Sequence, residues 1–318
     1  MRLLTGIRPT GQLHIGNYFG AVKNFLDLQK EYESLLFVAD YHGFISQQDP
    51  KNLQQGILEI AADYLSLELE PSTIIFKQSD VPEVTELTWI FNCLITVPYL
   101  ERAHAYKDAL NKGAKPTVGL FDYPTLMSSD ILIYEADVVP VGKDQKQHLE
   151  IARDIAQKFN QKFGETFHLP KPVIIQNTEM VTGLDGRKMS KSYHNTIKLF
   201  EEKDDLIKKI RSIVTDSKRV DEPKDPDQCP VFALHRLFSQ DILPELKERY
   251  LAGNIGYKES KDILIENIEK FIAPLREKRK EIIAQPEKIK EKLREGAEKV
   301  RPITQKKIKE VREKIGVE

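Results

Sequence analysis

The sequence predicts an α/β fold: a doubly wound parallel sheet followed by a C-terminal helical domain. Three observations carry that prediction. Up to Gln176, short apolar runs alternate with longer segments whose apolar residues recur every three or four positions. Several run-to-helix turns carry glycine and polar residues at what would be the carboxyl ends of parallel strands, where open α/β sheets bind ligands. Beyond Ser192 helical patterns dominate, broken by the Pro/Asp-rich connection DEPKDPDQCP from Asp221 to Pro230.

In chain order, Leu3 and Leu4 form a short strand that turns through Gly11 into a helix opening near His14, with Ile15, Phe19, Val22 and Leu26 on its buried face. Leu35–Ala39 reads as a buried strand ending at Asp40, Tyr41 and His42; His42 is either a pocket residue or a structural cap of the strand. Asp49 and Pro50 start a helix as N-cap and first helical residue, burying Leu53, Ile57, Ile60 and Tyr64. Thr73–Lys77 is the next strand, and Val81-Pro82-Glu83 begins a helix running through Trp89 to Leu94. Glu101–Lys115 is polar and mildly basic and reads as a solvated connection.

Pro116 or Thr117 opens a mainly apolar segment to Tyr134, interrupted by Pro124. Asp130 stands inside it, and a carboxylate there must be paired, hydrogen-bonded, or exposed to water or a ligand. Periodicity leaves those options even. Asp137–Val141 is a strand, the turn Gly142-Lys143-Asp144-Gln145 leads into a helix to Phe163, and Pro172–Gln176 is the last strand.

Two stretches carry the chemistry. RPTGQLHIGNYFGA, from Arg8 to Ala21, is a strand-turn-helix element: helix first turns leave backbone N–H groups unpaired and partly positive, Gly11 and Gly16 permit close approach, and His14 adds a polar donor. By itself it is a common turn of α/β folds. DGRKMSKS, from Asp185 to Ser192, sets Lys188 and Lys191 three apart with Ser190 and Ser192 beside them, and Gly183 and Gly186 give the loop backbone freedom to close. By itself it reads as a solvated turn.

Together, in this order and with an α/β body between, the HIGN and KMSKS elements resemble the two signature motifs of class I aminoacyl-tRNA synthetases. FDYPTLMSSDILIY (Phe121 to Tyr134) and VPVGKDQKQHLE (Val139 to Glu150) are similar to the tryptophanyl-tRNA synthetases of bacterial type. The resemblance implies a Rossmann-like catalytic domain over residues 1–197 and a helical anticodon-binding domain over 198–318, whose last helices could pack back on the sheet. It implies an ATP-dependent ligase joining L-tryptophan to tRNA(Trp) through tryptophanyl-adenylate, acting as a homodimer, with Mg2+ arriving on ATP. A tyrosyl-tRNA synthetase or a non-catalytic paralogue binding tRNA or tryptophan is the alternative; no second polar residue converges beside Asp130 to serve a tyrosine hydroxyl, and both loop lysines are intact.

Carried over residue by residue, the resemblance makes His14, Asn17, Lys188 and Lys191 catalytic. Arg8, Pro9, Thr10, Gly16, Asn17, Gly142, Lys143, Asp144, Met180, Val181, Lys188, Met189, Ser190, Lys191 and Ser192 would line ATP. Lys143 departs from the acidic residue most relatives carry there, and Lys107 is a further candidate for phosphate or tRNA contact. Asp130 would accept the indole N–H, a single acceptor matching a group with one donor. Tyr123, Met127, His42, Val139 and Val141 would wall the pocket, and Gln145 would face the amino acid. Some bacterial relatives hold an iron–sulfur cluster in the helical region; Cys229 resembles its first ligand, but Tyr257 and Ser260 replace further cysteines, so no cluster is expected.

Composition bounds the partners. The chain has 318 residues with 48 Lys plus Arg against 49 Asp plus Glu, a net charge of −1, so no global basic excess announces nucleic acid. From Lys258 onward 18 basic residues face 13 acidic ones, a local +5 that leaves −6 for the rest. Two cysteines permit neither a disulfide framework nor a four-cysteine metal site. No apolar run approaches the roughly 18 residues of a spanning helix, and a soluble cytoplasmic protein is expected.

Overall fold

A computed structural model describes residues 1–111, 113, 116–141, 146–174 and 181–318. Among these residues, five strands form one parallel sheet in the order β3-β2-β1-β4-β5: β1 Arg2–Ile7, β2 Glu33–Val38, β3 Ile74–Lys77, β4 Val138–Val141 and β5 Lys171–Ile174. β1 pairs with β2 from Arg2 with Glu33 to Ile7 with Val38, and with β4 on its other side at Leu3 and Val138. The chain order therefore reverses beside β1, and the crevice at its carboxyl end is the place where such sheets bind nucleotides. β2 is buried from Ser34 to Val38, as befits a strand covered on both faces.

The helices follow in order. Ile15–Asn17 (α1), a π-helical turn Tyr18–Val22 and Lys23–Leu28 (α2) make up the single helix expected after His14. Asp40–Phe44 (α3) carries His42, and Pro50–Ser66 (α4) is capped by the Asp49 carboxylate, which accepts from Asn52 N–H at 2.8 Å. Glu83–Asn92 (α5), Val97–Leu100 (α6) and His104–Asn111 (α7) precede Val118–Leu132 (α8), which continues through Pro124. Lys146–Phe163 (α9) links β4 to β5. Lys203–Ser212 (α10), Pro230–Phe238 (α11), Leu243–Ala252 (α12), Tyr257–Ile283 (α13) and Pro286–Ile315 (α14) complete the chain.

α7 corrects the expectation of a solvated connection over Glu101–Lys115. Its polar composition hides a run without glycine or proline up to Gly113, and Tyr106 packs edge-on against Phe121 of α8 at 5.0 Å. Lys107 is exposed on this helix.

Successive residues of β1 point to opposite sides of the sheet. Leu4 joins Leu35, Phe76, Leu87, Phe91 and Phe159 in one core, and Leu3 joins Leu36, Val38, Ile60 and Tyr64 in another. α14 returns to the sheet and lies along β3: its Ala297, Val300, Ile308 and Val311 belong to the first core. Gly296 makes the approach possible, because a Cβ there would stand 1.8 Å from the Ile75 carbonyl oxygen. Arg312 clasps Glu86 through two 2.7 Å bonds, and the buried Lys307 ammonium donates to Thr166 O at 2.8 Å. A third core unites α10 to α13 through Leu206, Val231, Phe232, Leu264 and Ile268. Ile15, Val181, Met189 and Ile197 also belong to it, so both signature stretches touch the helical region.

Candidate active site

The turn after β1 is built on two glycines of neighbouring helices. Pro9 is buried; a Cβ at Gly43 of α3 would come within 2.8 Å of its ring, and one at Gly56 of α4 within 2.5 Å of its carbonyl oxygen. Gly11, at φ +96°, needs the conformational freedom of glycine. The Leu13 N–H donates to Asp63 Oδ2 at 2.8 Å, drawing the turn onto α4.

His14 is the N-cap of α1 and is 7% exposed. Its Nδ1 accepts from the Asn17 N–H at 3.2 Å, while Asn17 Oδ1 accepts from the His14 N–H at 3.2 Å, a reciprocal capping box. An accepting Nδ1 leaves the imidazole proton on Nε2, so a neutral His14 presents an N–H donor. Burial, helped by the charge of Lys191, pulls its pKa from 6.5 to about 4, which keeps it neutral near pH 7. A Cβ on Gly16 would meet His14 Nδ1 at 2.9 Å and Met189 Cβ at 3.3 Å, so the glycine lets the lysine loop sit against the cap.

The lysine loop is a hairpin. Met189 N–H donates to Val181 O at 2.8 Å, Gly183 N–H to Arg187 O at 2.7 Å, and Gly186 takes φ +82° at the tip. Asn195, 2% exposed, holds it from within. Its Oδ1 accepts from Ser190 N–H at 2.8 Å, and its Nδ2 donates to Asp185 Oδ1 at 2.7 Å and to Lys188 O at 3.1 Å. Gly183 is pressed against this amide, since a Cβ there would lie 2.3 Å from Asn195 Nδ2. The flanking glycines expected to free the loop thus serve, at Gly183, to seat it.

Loop and turn are joined. Lys191 Nζ donates to Thr10 O at 3.1 Å and Gly11 O at 2.8 Å. Behind the loop, Ile15 N–H donates to Ile197 O at 3.0 Å and Leu199 N–H to Leu13 O at 2.8 Å, around an isolated antiparallel bridge between His14 and Lys198. His14, Asn17, Gly16, Met189 and Lys191 are therefore one cluster. Val181 and Met189 are buried in the helical core, and Lys188 is exposed on the hairpin.

A second cluster surrounds Asp130, which is 1% exposed on α8. Its Oδ2 is 2.9 Å from His42 Nε2, and Gln78 Nε2 donates to both carboxylate oxygens at 2.8 and 2.9 Å, so two polar residues do converge beside Asp130, which corrects the expectation that none does. Burial raises its pKa against these bonds. Gln78 is itself fixed, its Oε1 accepting from Tyr41 N–H at 3.1 Å. Tyr123 lies edge-on to His42 at 6.5 Å; burial pushes its hydroxyl up to about 12, with Arg8 acting the other way. Met127 and Val139 pack into the first core of the sheet.

Gly142, Lys143, Asp144, Gln145 and Met180 lie outside the described residues, as do the side chains of Val141 and Ser192. Among the described residues, no group of three or more His, Cys, Asp or Glu side chains could hold a metal ion. Cys229 is buried at the N-cap of α11, its thiol 3.9 Å from the Tyr250 hydroxyl, which shares a 2.5 Å hydrogen bond with Ser260. Tyr257 turns its hydroxyl to Asp216 at 2.8 Å. Asp63 and Gln78, with Gly43 and Gly56, escape a reading of the sequence, because each acts on residues far along the chain or by what it lacks; Asn195 acts on its near neighbours, but no pattern marks it.

Residues 1–273 match the family described as tRNA synthetases class I (W and Y). The chain belongs to that family. The tryptophan–tRNA ligase of Fusobacterium nucleatum is 49% identical over 99% of this chain and 98% of its own length. That of Campylobacter jejuni is 46% identical over the whole of both chains. The crystal structure of the Campylobacter jejuni tryptophanyl-tRNA synthetase complexed with ADP and tryptophan superposes with a TM-score of 0.92, covering 99% of this chain and 100% of that one.

Proposed function

We propose that the chain is a tryptophan–tRNA ligase that activates L-tryptophan with ATP and transfers it to tRNA(Trp). The observation that carries the reading is the docking of the lysine loop on the opening turn, Lys191 Nζ against the Thr10 and Gly11 carbonyls beside neutral His14. A tryptophan carboxylate oxygen attacks the α-phosphorus of ATP; the new P–O bond forms as the bond to pyrophosphate breaks, and no general base is needed. Catalysis is then positioning and charge stabilisation. His14 Nε2–H and Asn17 hold phosphate and ribose, and Lys188 and Lys191 draw electron density from the departing pyrophosphate. In the second step the 3′-terminal ribose hydroxyl of tRNA displaces AMP from the adenylate.

Asp130 is the acceptor for the indole N–H. Its two oxygens offer about four acceptor positions, of which His42 and Gln78 use three. The described residues of the turn present imidazole, ammonium and amide rather than carboxylates, so Mg2+ enters as the counterion of ATP, held by its phosphates and water. No helix among the described residues is long and apolar enough to cross a membrane. A cytoplasmic location goes with this reading, and two free cysteines suit its reducing conditions. The helices of residues 198–318 that form the third core serve the anticodon end of tRNA, while α14 belongs to the sheet, and a homodimer is the working assembly.

ATP–pyrophosphate exchange measured with each of the twenty amino acids tests the reading. Tryptophan alone should drive exchange, and Lys188→Ala or Lys191→Ala should lower kcat at least about a hundredfold with tryptophan affinity retained. Exchange driven by tyrosine, or unaltered exchange in both lysine variants, refutes it.

A further inference from the structure

α13 runs from one core into another. Leu264, Ile265, Ile268 and Ile272 pack among the helices of the third core, while beyond Pro274 the helix lies on α4, with Leu275, Ile282 and Ile283 against the sheet-side core of Ile60 and Tyr64. Past the proline, a pair of arginines one turn apart is buried, Arg276 at 7% and Arg279 at 9% exposure. Arg276 donates to the Glu201 carbonyl at 2.8 Å and pairs with Glu269 at 2.7 Å. Arg279 Nε is hydrogen-bonded to Oδ1 of Asp63, and its guanidinium lies 5.3 Å from the centre of the Phe200 ring.

Asp63 is fully buried, and its other oxygen is the acceptor for the Leu13 N–H, one residue before His14. The Leu13 carbonyl in turn accepts from Leu199 N–H, the residue before Phe200. Arg279 thus holds one support of Leu13, Asp63, and packs on the ring next in sequence to the other, Leu199. A buried ion pair is a poor source of stability, since desolvation offsets most of its attraction. What this one supplies is a fixed position: the peptide that carries His14 is set by a guanidinium anchored on α13.

We propose that Asp63 and Arg279 are positioning residues for the ATP site, through which α13 sets the geometry of the opening turn. The proposal rests on the reading of that turn as the ATP site. Neither side chain touches a reacting atom. Their effect is therefore on ATP, and tryptophan, bound around Asp130 on α8, should be indifferent to them.

The test compares the parent chain with Arg279→Lys, Arg279→Met and the double variant D63L/R279M, in which an apolar pair replaces the ions. ATP affinity is measured by calorimetry without amino acid, and KM for ATP and for tryptophan by pyrophosphate exchange. Arg279→Met and D63L/R279M should weaken ATP about tenfold, the worth of one charge-assisted contact, while KM for tryptophan stays within about twofold. Arg279→Lys should recover most of the loss. ATP affinity unchanged in Arg279→Met, or tryptophan KM rising as far as that for ATP, overturns the proposal. Should the double variant not fold, the comparison of Arg279→Met with Arg279→Lys decides. A parent chain that binds no ATP removes the functional reading first, and the positioning role with it.

Discussion

Asn195 offers the sharpest perturbation, because one buried amide fixes three points of the lysine hairpin and touches nothing else in the proposed chemistry. Replacing it by Ala removes the acceptor of Ser190 N–H and the donor to Lys188 O, bonds of 2.8 and 3.1 Å, along with the 2.7 Å bond to Asp185. The two backbone bonds alone are worth about 1 kcal/mol each. Releasing both costs the docked hairpin ~2 kcal/mol, which is roughly thirtyfold in the population that aligns Lys188 and Lys191. In pyrophosphate exchange at saturating ATP and tryptophan, kcat should fall ten- to thirtyfold or so, with KM for tryptophan within about twofold. Asn195→Asp alone would face the Asp185 carboxylate with a second one. The exchange pair D185N/N195D should recover part of the activity, since the new amide donates back to the new carboxylate and the Ser190 acceptor persists, while the donor to Lys188 O stays lost. A kcat for Asn195→Ala within about twofold of the parent, or no recovery in the pair, refutes the assignment.

Asp130→Ala should raise KM for tryptophan at least about tenfold, because the indole donor loses its acceptor; a variant that still prefers tryptophan to phenylalanine as the parent does counts against the pocket. Burial lowers both His14 and His235 from 6.5 to about 4. The unfolded chain therefore takes up protons between pH 6.5 and 4 that the folded chain refuses, so their contribution to stability is whole above pH 6.5 and is lost as pH falls through that window. Asp63, raised by burial to about 6, acts with the opposite sign, its share being lost as pH rises toward 6. In urea unfolding at pH 7 and pH 5, His235→Gln should lose less stability on acidification than the parent, and an equal loss contradicts the shift. Gly296→Ala places a Cβ 1.8 Å from the Ile75 carbonyl. Despite the helical preference for Ala it should destabilise by about 3 kcal/mol in urea melts, and an unchanged midpoint refutes the close packing of α14 on β3.

The alternation of strands and helices is legible because burial on both faces makes parallel strands into short apolar runs, as in Ser34–Val38. Both signature stretches are legible because their residues are near neighbours in sequence, and the fold adds only their meeting. Periodicity leaves His42 and Asp130 each open between pocket and scaffold, and they share one hydrogen bond across 88 residues. What stays hidden depends on topology. Asp63 lies beside Tyr64 on α4, where helical period alone gives no reason to bury a carboxylate; its reason arrives with Arg279, 216 residues later. Asn195 follows the loop without any pattern to mark it. Gly43 and Gly56 matter through the Cβ they lack, which only the position of Pro9 reveals.

The cores also explain why His14 sits where it does. Leu13 belongs to the sheet-side core and Ile15 to the helical one, and the same division falls between Leu199 and Ile197 on the segment behind the lysine loop. His14 and Lys198, bridged to each other, occupy the seam between the two. The turn from Pro9 to Leu13 is fastened to the sheet by Gly43, Gly56 and Asp63, and the hairpin is fastened to the helices by Val181 and Met189. A shift of the helical region against the sheet must therefore change the distance between Lys191 and the Thr10 and Gly11 carbonyls, and it must turn the His14 peptide with it. Close-packed cores move as bodies rather than by continuous deformation. The seam is consequently the place where a displacement of the helices is converted into a change of spacing between the lysine hairpin and the opening turn.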